Sequence, residues 1–346
     1  MRKLLCAAGL CFFLILPVSA AEFTAPEVPE SGRELMPEET ESFGEGLLEM
    51  LGKALTAVEP ELQEAGRACV SVTAAVLLVS LLESFSDPVS ASAELAGTAA
   101  VSGVLLMASH TLIRLGADTV TEISEYGKLL LPVMTAALAA QGGLTASTAL
   151  FTGTAAFSAL LSSLIAKLLV PMIYLFLALA AAHSALGEGL LKQLRDLTKG
   201  AVSWSLRLIL TVFTTYMAIT GVVSGTTDAA ALKAAKLTVS TVVPVVGGIL
   251  SDASEAILVG AGVVKNAAGL YGIFAVLAVC LRPFLRIGCH YLLMKATAGI
   301  CSVIGSKRLA ELVGDFSAAM GLLLAMTGSA CLMLLISTVC FMKGVG

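Results

Sequence analysis

The chain has 346 residues, of which 57% are hydrophobic and only 13% are charged. Soluble domains carry about 25% charged residues, so this chain has too little polar surface to cover a water-soluble fold of its size. Its mean hydropathy is +0.93. These values exclude a soluble globular protein and predict an integral membrane protein.

The charge is unevenly placed along the chain. Residues 22–66 contain 12 acidic residues against 2 basic ones, a net charge of −10, whereas the chain from Arg67 onward has 17 basic against 13 acidic residues, a net of +4. This contrast predicts three parts: a signal peptide at 1–20, an acidic extracytoplasmic leader with an amphipathic helix at 21–66, and a polytopic membrane domain at 67–343.

The first twenty residues are typical of a secretory signal peptide. Arg2 and Lys3 precede an apolar stretch at 4–16, and the stretch closes on the small-x-small pattern Val18-Ser19-Ala20. An uncleaved first membrane helix is the alternative, although a span needs about 20 apolar residues. Cleavage would place the new N-terminus outside the cytoplasm.

The acidic segment divides into a leader and a helix. Residues 22–41 hold three prolines among acidic residues, which predicts a flexible leader without a fixed fold. Apolar residues then recur at helical spacing over 43–58, with Glu49 and Lys53 placed as an i,i+4 pair. We expect an amphipathic helix that ends near Pro60. Its acidic excess favours packing on the protein's own membrane domain or on a partner over binding to anionic lipid.

From residue 68 onward, apolar stretches alternate with short charged connections, which predicts an all-α bundle of seven or eight membrane spans. The 38 uncharged residues between Lys128 and Lys167 are expected to form two spans joined by a tight turn at Gln141-Gly142-Gly143. A span at 287–306 is doubtful because Lys295 lies at its middle. The remaining candidate spans are 68–82, 95–113, 168–186, 208–227, 256–281 and 316–342.

The basic residues predict the orientation of the bundle. With the N-terminus outside, five crossings place Gly187 in the cytosol, and the loop that follows has four basic residues against two acidic ones. Arg282 and Arg286 are expected on the same side. The C-terminus ends outside if 287–306 does not cross, and inside if it does. The four basic residues of the loop are Lys192, Arg195, Lys199 and Arg207.

No catalytic constellation is found in the sequence. His110, His183 and His290 are scattered, and no pair of cysteines has C-x-x-C spacing. A nucleotide-binding phosphate loop is absent, and so are basic patches with interleaved aromatic residues. The sequence therefore predicts a protein that is not an enzyme, has no metal or other cofactor and no disulfide framework, and does not bind nucleic acid.

The segment from residue 220 to 272 is unusual. Gly221 and Gly225 form a G-x-x-x-G step, which lets two membrane helices approach closely. Pro244 and the pair Gly247-Gly248 then interrupt a helical pattern, and broken backbone at membrane depth is tolerated only where protein or a water-filled cavity satisfies it. This pattern predicts a re-entrant or broken helix of the kind that pores and transporters use. The alternative is an ordinary external loop.

Polar residues near the interruption are candidates for a pore seam. Lys265 and Asn266 lie inside the apolar stretch 256–281, and an ionisable group within a membrane helix is by default a functional hypothesis. Lys265 would pair with Asp252 or Glu255 at a seam that faces a cavity. The alternatives are that Lys265 extends to the membrane surface or that two shorter helices meet there.

Several of these segments resemble one protein family. They are 219–225 (ITGVVSG), 231–236 (ALKAAK), 243–248 (VPVVGG), 250–253 (LSDA) and 264–269, which begins Val-Lys-Asn and ends at glycine. Together with the order of signal peptide, acidic leader and polytopic body, they resemble stage III sporulation protein AE of endospore-forming bacteria.

The resemblance implies a multi-pass protein of the mother-cell membrane around the forespore. Such a protein would be a non-enzymatic subunit of a secretion-like channel, or feeding tube, that forespore development requires. Its implied partners are other products of the stage III sporulation A operon, including an ATPase and ring-forming subunits, and a forespore membrane protein. The family supplies no catalytic residues.

Two other functions stay open at this point. One is a small-solute transporter or permease with its site between Pro244 and Lys265, although no internal repeat supports it. The other is an assembly hub whose acidic arm recruits ring proteins.

Overall fold

The computed structural model describes residues 26–38, 43–85, 91–242, 247–304 and 307–343, without the side chains of 82–94 and 221–265. Every regular element in these ranges is helical, which confirms the predicted all-α fold. A π-helical turn at Ile165–Leu169 joins the helix that ends at Leu164 to the helix that begins at Val170. The helices are α1 (Glu30–Arg33), α2 (Phe43–Phe85), α3 (Ala91–Ala140), α4 (Leu144–Leu164), α5 (Val170–Leu186), α6 (Gly189–Val242), α7 (Gly247–Ile304) and α8 (Lys307–Lys343).

Six helical segments within the described residues are long and apolar enough to cross a bilayer. The protein is therefore a multi-pass membrane protein. The predicted number of seven or eight spans is not confirmed, because several predicted spans are parts of one longer helix. The six segments are Phe43–Leu81, Leu95–Ala140, Leu144–Leu186, Gly189–Thr220, Asn266–Ile304 and Lys307–Lys343.

Three predicted breaks are wrong. Helix α2 continues through Pro60 to Phe85, α7 contains both 256–281 and the doubtful stretch 287–304, and 168–186 continues α4 through the π-helical turn. A charged side chain does not break a helix, since only the backbone hydrogen bonds decide whether it continues. A proline inside a helix costs about 3 kcal/mol, which the packing of these long helices offsets.

The π-helical turn lies just before Pro171, the second residue of α5. Proline cannot donate a backbone hydrogen bond to the carbonyl four residues earlier, and its ring crowds that carbonyl. The extra residue of a π turn accommodates the mismatch without ending the helix. The chain therefore remains helical from Leu144 to Leu186.

The tight turn predicted at Gln141-Gly142-Gly143 is confirmed, since α3 ends at Ala140 and α4 begins at Leu144. Gly142 has a φ of 90°, which a side chain rarely adopts. Gly187 ends α5 in the same way, with a φ of 72° and its N–H donated to the His183 carbonyl at 2.8 Å.

Helix α8 is the central element and packs most extensively on α7, with α3, α4, α5 and α6 around it. Helices α7 and α8 are antiparallel, since Gly269 meets Met342 near one end and Gly314 faces Ala298 near the other. The core consists of large apolar side chains from several helices. Its fully buried aromatic residues are Tyr126, Phe176, Phe213, Phe274, Phe316 and Phe341.

The prediction of a leader without a fixed fold is wrong for residues 26–38. Val28 and Leu35 are buried, and the Ser31 hydroxyl donates a hydrogen bond to Glu122 at 2.6 Å. Helix α1 lies so close to α7 that a Cβ at Gly32 would be 2.9 Å from the Val279 backbone nitrogen.

The amphipathic helix packs on the protein's own bundle, as predicted. The ring of Phe43 stacks on Phe274 with 5.5 Å between centroids, and the predicted pair of Glu49 and Lys53 is present at 2.7 Å. Because α2 crosses residue 67 without interruption, the domain boundary placed there stays a prediction. The signal peptide at 1–20 lies outside the described residues.

Candidate functional site

The glycines predicted to mark a broken helix lie in two helices. Gly221 and Gly225 are inside α6, and Gly247 and Gly248 are the first two residues of α7. Pro244 lies outside the described residues. Residues 228–242 and 247–255 are helical, and the connection between them at 243–246 lies outside the described residues, so the alternative of an ordinary loop stays open. Whether this helix pair forms a re-entrant element stays a prediction.

The candidate pore-seam residues all lie in α7. Asn266 is exposed, whereas the side chains of Asp252, Glu255 and Lys265 lie outside the described part of the chain. The proposed pairing of Lys265 with either acid therefore stays a prediction.

A cluster of ion pairs joins α2 to α7. Glu61 is 6% exposed, and its carboxylate lies 3.4 Å from the Arg286 guanidinium and 3.8 Å from that of Arg282. Arg286 also donates to Glu64 at 2.5 Å, and Arg282 lies 3.4 Å from Glu34. The cluster therefore holds both the leader and α2 against α7.

Charged residues on other helices lie at the same level along the bundle axis as the ion pairs between α2 and α7. Gly116 of α3 faces Ile287 of α7 and Leu323 of α8, and it is flanked by Arg114 and Asp118, which pair at 3.7 Å. Along the bundle axis, Arg114 and Asp118 are therefore level with Arg286 and with the middle of α8.

Lys167 also lies at this height, because α4 and α5 run antiparallel to α3. Ser158 lies 3.4 Å from Ser124, and the Tyr174 ring lies 6.1 Å from that of His110, so Lys167 is level with the middle of that α3 segment. We call the whole set the charged belt. It consists of Glu61, Glu64, Arg114, Asp118, Lys167, Arg282 and Arg286.

Arg282 and Arg286 lie in the interior of α7 and not in a connection between two helices, which corrects the predicted break there; their placement on the cytosolic side stays a prediction. The sequence does contain part of the signal. The two arginines are four residues apart and Glu61 and Glu64 are three apart, so each pair lies on one face of its helix. Their pairing across 222 residues could be found only in the tertiary structure.

Apolar side chains are exposed on both sides of the charged belt. Met107 and Leu175 are 80% and 52% exposed toward the Gly187 end, and Leu144 and Leu160 are 67% and 55% exposed toward the opposite end. The continuous helix from Leu144 to Leu186 has 43 residues, or about 65 Å. Even at a tilt of about 40° it spans roughly 50 Å, well beyond the ~30 Å hydrocarbon core.

A second cluster ties α6 to α8 at the Gly187 end. Arg195 is 5% exposed and donates to Asp315 at 2.6 Å, to Glu311 at 3.1 Å and to Asp196 at 3.0 Å. Lys192 pairs with Glu311 at 3.3 Å. The predicted cytosolic loop is therefore the first part of α6, and two of its basic residues, Lys192 and Arg195, pair with acidic residues of α8.

The same end of the bundle holds the start of α8. A Cβ at Gly187 would lie 3.1 Å from Nη2 of Arg308, so the basic residues of α6 and of early α8 are neighbours. Both groups of basic residues therefore lie at the same end of the bundle. Which side is cytosolic stays a prediction.

Histidines and cysteines form no catalytic arrangement in the described ranges. His290 is buried with Nδ1 2.9 Å from the Arg286 carbonyl, and Nδ1 of His183 lies 3.1 Å from the Glu188 carbonyl. Within 26–38, 43–85, 91–242, 247–304 and 307–343, no three His, Cys, Asp or Glu side chains are placed to hold a metal ion. The six described cysteines are free.

Comparison with known proteins identifies the family. Residues 34–344 match the model of the stage III sporulation protein AE family. Stage III sporulation protein AE of Bacillus subtilis (strain 168) is 24% identical over 197 residues, which cover 57% of this chain and 49% of that protein. The match therefore spans about half the length of the curated relative.

No solved structure matches the chain. The family match covers α2 to α8 and the last residues of the leader, so it includes the charged belt and the Arg195 cluster. The family consists of sporulation membrane proteins and is not a known enzyme family. The chain belongs to the stage III sporulation protein AE family.

Proposed function

We propose that this protein is a non-enzymatic subunit of a secretion-like channel between the mother cell and the forespore. It would lie in the mother-cell membrane around the forespore, with its N-terminus outside the cytoplasm after signal cleavage. Other products of the stage III sporulation A operon, including an ATPase and ring-forming subunits, and a forespore membrane protein would complete the channel.

The apolar surface on both sides of the charged belt supports a subunit of a larger assembly. One bilayer covers about 30 Å of the bundle, whereas exposed apolar side chains extend from Leu144 to Leu175 and Leu186 along one continuous helix. Apolar surface left outside the bilayer needs to be covered by another protein. A transporter that acts alone would have no such surface to cover.

Deletion in an endospore-forming host tests the role of the whole chain. We expect that cells without this protein engulf the forespore but fail to move a small fluorescent reporter from the mother cell into it, and fail to express late forespore genes. Complementation with the intact chain should restore both. Normal passage of the reporter in the deletion strain would refute the channel proposal.

Glycine substitutions test the proposed pore segment separately. Gly247→Leu with Gly248→Leu places bulk at the start of α7, and we expect reduced reporter passage at an unchanged amount of membrane-inserted protein. Gly44→Leu with Gly52→Leu is a matched control, because both glycines are exposed and a Cβ at either meets nothing within 4 Å. Equal passage in the two double variants would exclude a pore role for Gly247 and Gly248.

Reconstitution separates the channel subunit from a transporter. Purified protein in vesicles should be inactive by itself if it needs the ATPase and ring-forming partners. Uptake of a solute by vesicles that contain this protein alone would instead support the transporter.

A further inference from the structure

An open groove of about 400 Å³ lies between α6, α7 and α8. Residues of α8, most of them small, line the floor of the groove. Two lysines line its edge, Lys199 on α6 and Lys295 on α7. Its volume is within the range of about 300–1,000 Å³ typical of ligand sites. The floor residues are Gly314, Ser317, Ala318, Gly321 and Leu322.

The floor is held open by its own packing. The Ser317 hydroxyl donates to the Tyr291 carbonyl at 3.0 Å, which fixes α7 against α8 at the groove. Gly314 would place a Cβ 3.9 Å from that of Ala298, so a larger side chain there would fill the groove without displacing the backbone. The groove is therefore a fixed feature of the helix packing.

The rim carries positive charge that its neighbours do not neutralise. In the part of the chain that the structure describes, no carboxylate lies within ion-pair distance of Lys199 or Lys295. Asp315 acts electrostatically on Lys199, but its carboxylate already accepts a 2.6 Å hydrogen bond from Arg195. Among the described residues, Lys295 contacts only Tyr291, through its hydroxyl at 3.4 Å and its ring at 5.5 Å.

The aromatic residues near the groove are those of a membrane interface. Trp204, the single tryptophan of the chain, is 65% exposed on α6, five residues beyond Lys199 and outside the groove lining. Tyr291 lies beside Gly321 on the opposite wall. Tryptophan and tyrosine concentrate at the level of lipid headgroups, and basic pockets between membrane helices bind anionic headgroups.

We propose that this groove binds one anionic phospholipid. The phosphate lies between the ammonium groups of Lys199 and Lys295, and an acyl chain lies along the small residues of the α8 floor. The site is at the same end of the bundle as the Arg195 cluster, where basic residues concentrate. Phosphatidylglycerol fits this chemistry, whereas zwitterionic phosphatidylcholine does not complement two unpaired lysines.

Native mass spectrometry of the full-length chain, delipidated and titrated with phosphatidylglycerol or phosphatidylcholine, tests the proposal. Each lysine near an anionic headgroup strengthens binding about fivefold, so Lys199→Gln with Lys295→Gln should weaken phosphatidylglycerol binding about 25-fold and leave phosphatidylcholine binding unchanged. Lys128→Gln with Lys167→Gln removes the same charge from two exposed lysines elsewhere, and it should bind like the unaltered chain.

A filled groove provides a second test that keeps both lysines. Gly314→Leu should abolish selective phosphatidylglycerol binding while the circular dichroism of the protein stays helical, and this variant decides the matter if the double lysine variant does not fold. Wild-type affinity for phosphatidylglycerol in Gly314→Leu would overturn the proposal. Displacement of the lipid by soluble glycerol phosphate at equal concentration would also overturn it, because the lysines would then recognise free phosphate. So would equal binding of both lipids by the unaltered chain.

Discussion

The carboxylate of Glu61 lies 3.4 Å from the guanidinium of Arg286, across the interface between α2 and α7. The side chain of Glu61 is 8% exposed and that of Arg286 is 27% exposed. Their contact connects the acidic N-terminal part of the chain to the membrane bundle at the height of the charged belt. The leader and the bundle therefore depend on each other for stability.

Glu61→Ala should destabilise the protein by about 1–3 kcal/mol, because it leaves a partly buried guanidinium with fewer partners. Arg286 keeps its bond to Glu64, which limits the loss. Chemical denaturation of the purified protein in detergent measures the change. As a control, Glu49→Ala removes more exposed contacts, the pair with Lys53 and the hydrogen bonds from the Glu38 N–H, and should destabilise the protein much less. Equal losses in the two variants would contradict a structural role for the belt.

Arg195→Lys should destabilise the Gly187 end of the bundle although the charge is kept. One lysine cannot reproduce at once the hydrogen bonds that Arg195 donates from Nη1 to Glu311 and Asp315 and from Nε to Asp196, and a buried acceptor left without its donor costs about 1–3 kcal/mol. Limited proteolysis should show faster cleavage near the α5 to α6 turn. Arg114→Lys is the matched control, because the Arg114 side chain is 77% exposed and, within the described part of the chain, pairs with Asp118 alone. Unchanged proteolysis of the Arg195 variant would count against this cluster.

Gly153→Ala and Gly103→Ala should have opposite effects on stability. A Cβ at Gly153 would overlap the ring of Tyr216 and push α4 away from α6, at a cost of about 1–3 kcal/mol. Gly103 is exposed with nothing within 4 Å of an added Cβ, so alanine there should stabilise α3 by up to about 1 kcal/mol. Thermal unfolding of the two variants measures the sign. Stabilisation by Gly153→Ala would refute the close approach of α4 and α6.

Oxidation should cross-link Cys280 of α7 to Cys331 of α8, because both thiols are buried and act electrostatically on each other across the α7–α8 interface. A variant that keeps only these two cysteines, treated with copper phenanthroline in membranes, should give one intramolecular disulfide by peptide mass spectrometry. A second variant that keeps only Cys280 and Cys340 is the control, since nine residues along α8 are about 13 Å. Cross-linking of the control alone would show that α7 and α8 pack in another register.

The difference between the predicted and observed spans has one physical cause. The sequence places charges at Lys167 and at Arg282 and Arg286, and each was interpreted as a point where the chain leaves the membrane. Hydropathy measures how costly a residue is in lipid, but it does not show whether a neighbouring helix supplies a partner. Glu61 supplies that partner for Arg286, so this charge does not mark the end of a helical segment.

Local signals were more reliable where they depend on the backbone alone. The turn at Gly142 and Gly143 was predictable because glycine adopts positive φ at no steric cost. The amphipathic periodicity of 43–58 correctly predicted a helix packed on the bundle, yet Pro60 did not end it. The residues of 26–29 and 34–38 were predicted to be flexible from their composition, although burial of Val28 and Leu35 against the bundle orders them.

The sequence by itself determined the membrane class, the all-α fold, the acidic N-terminal segment and the family resemblance, because composition and helical periodicity are local properties. Only the tertiary structure decided that the helices run through their charges, that α8 is the central helix, and that distant ionic residues pair in the charged belt and around Arg195. The same holds for the groove with Lys199 and Lys295. Such features depend on contacts between residues far apart in the chain, and no local pattern specifies which helix face will meet which.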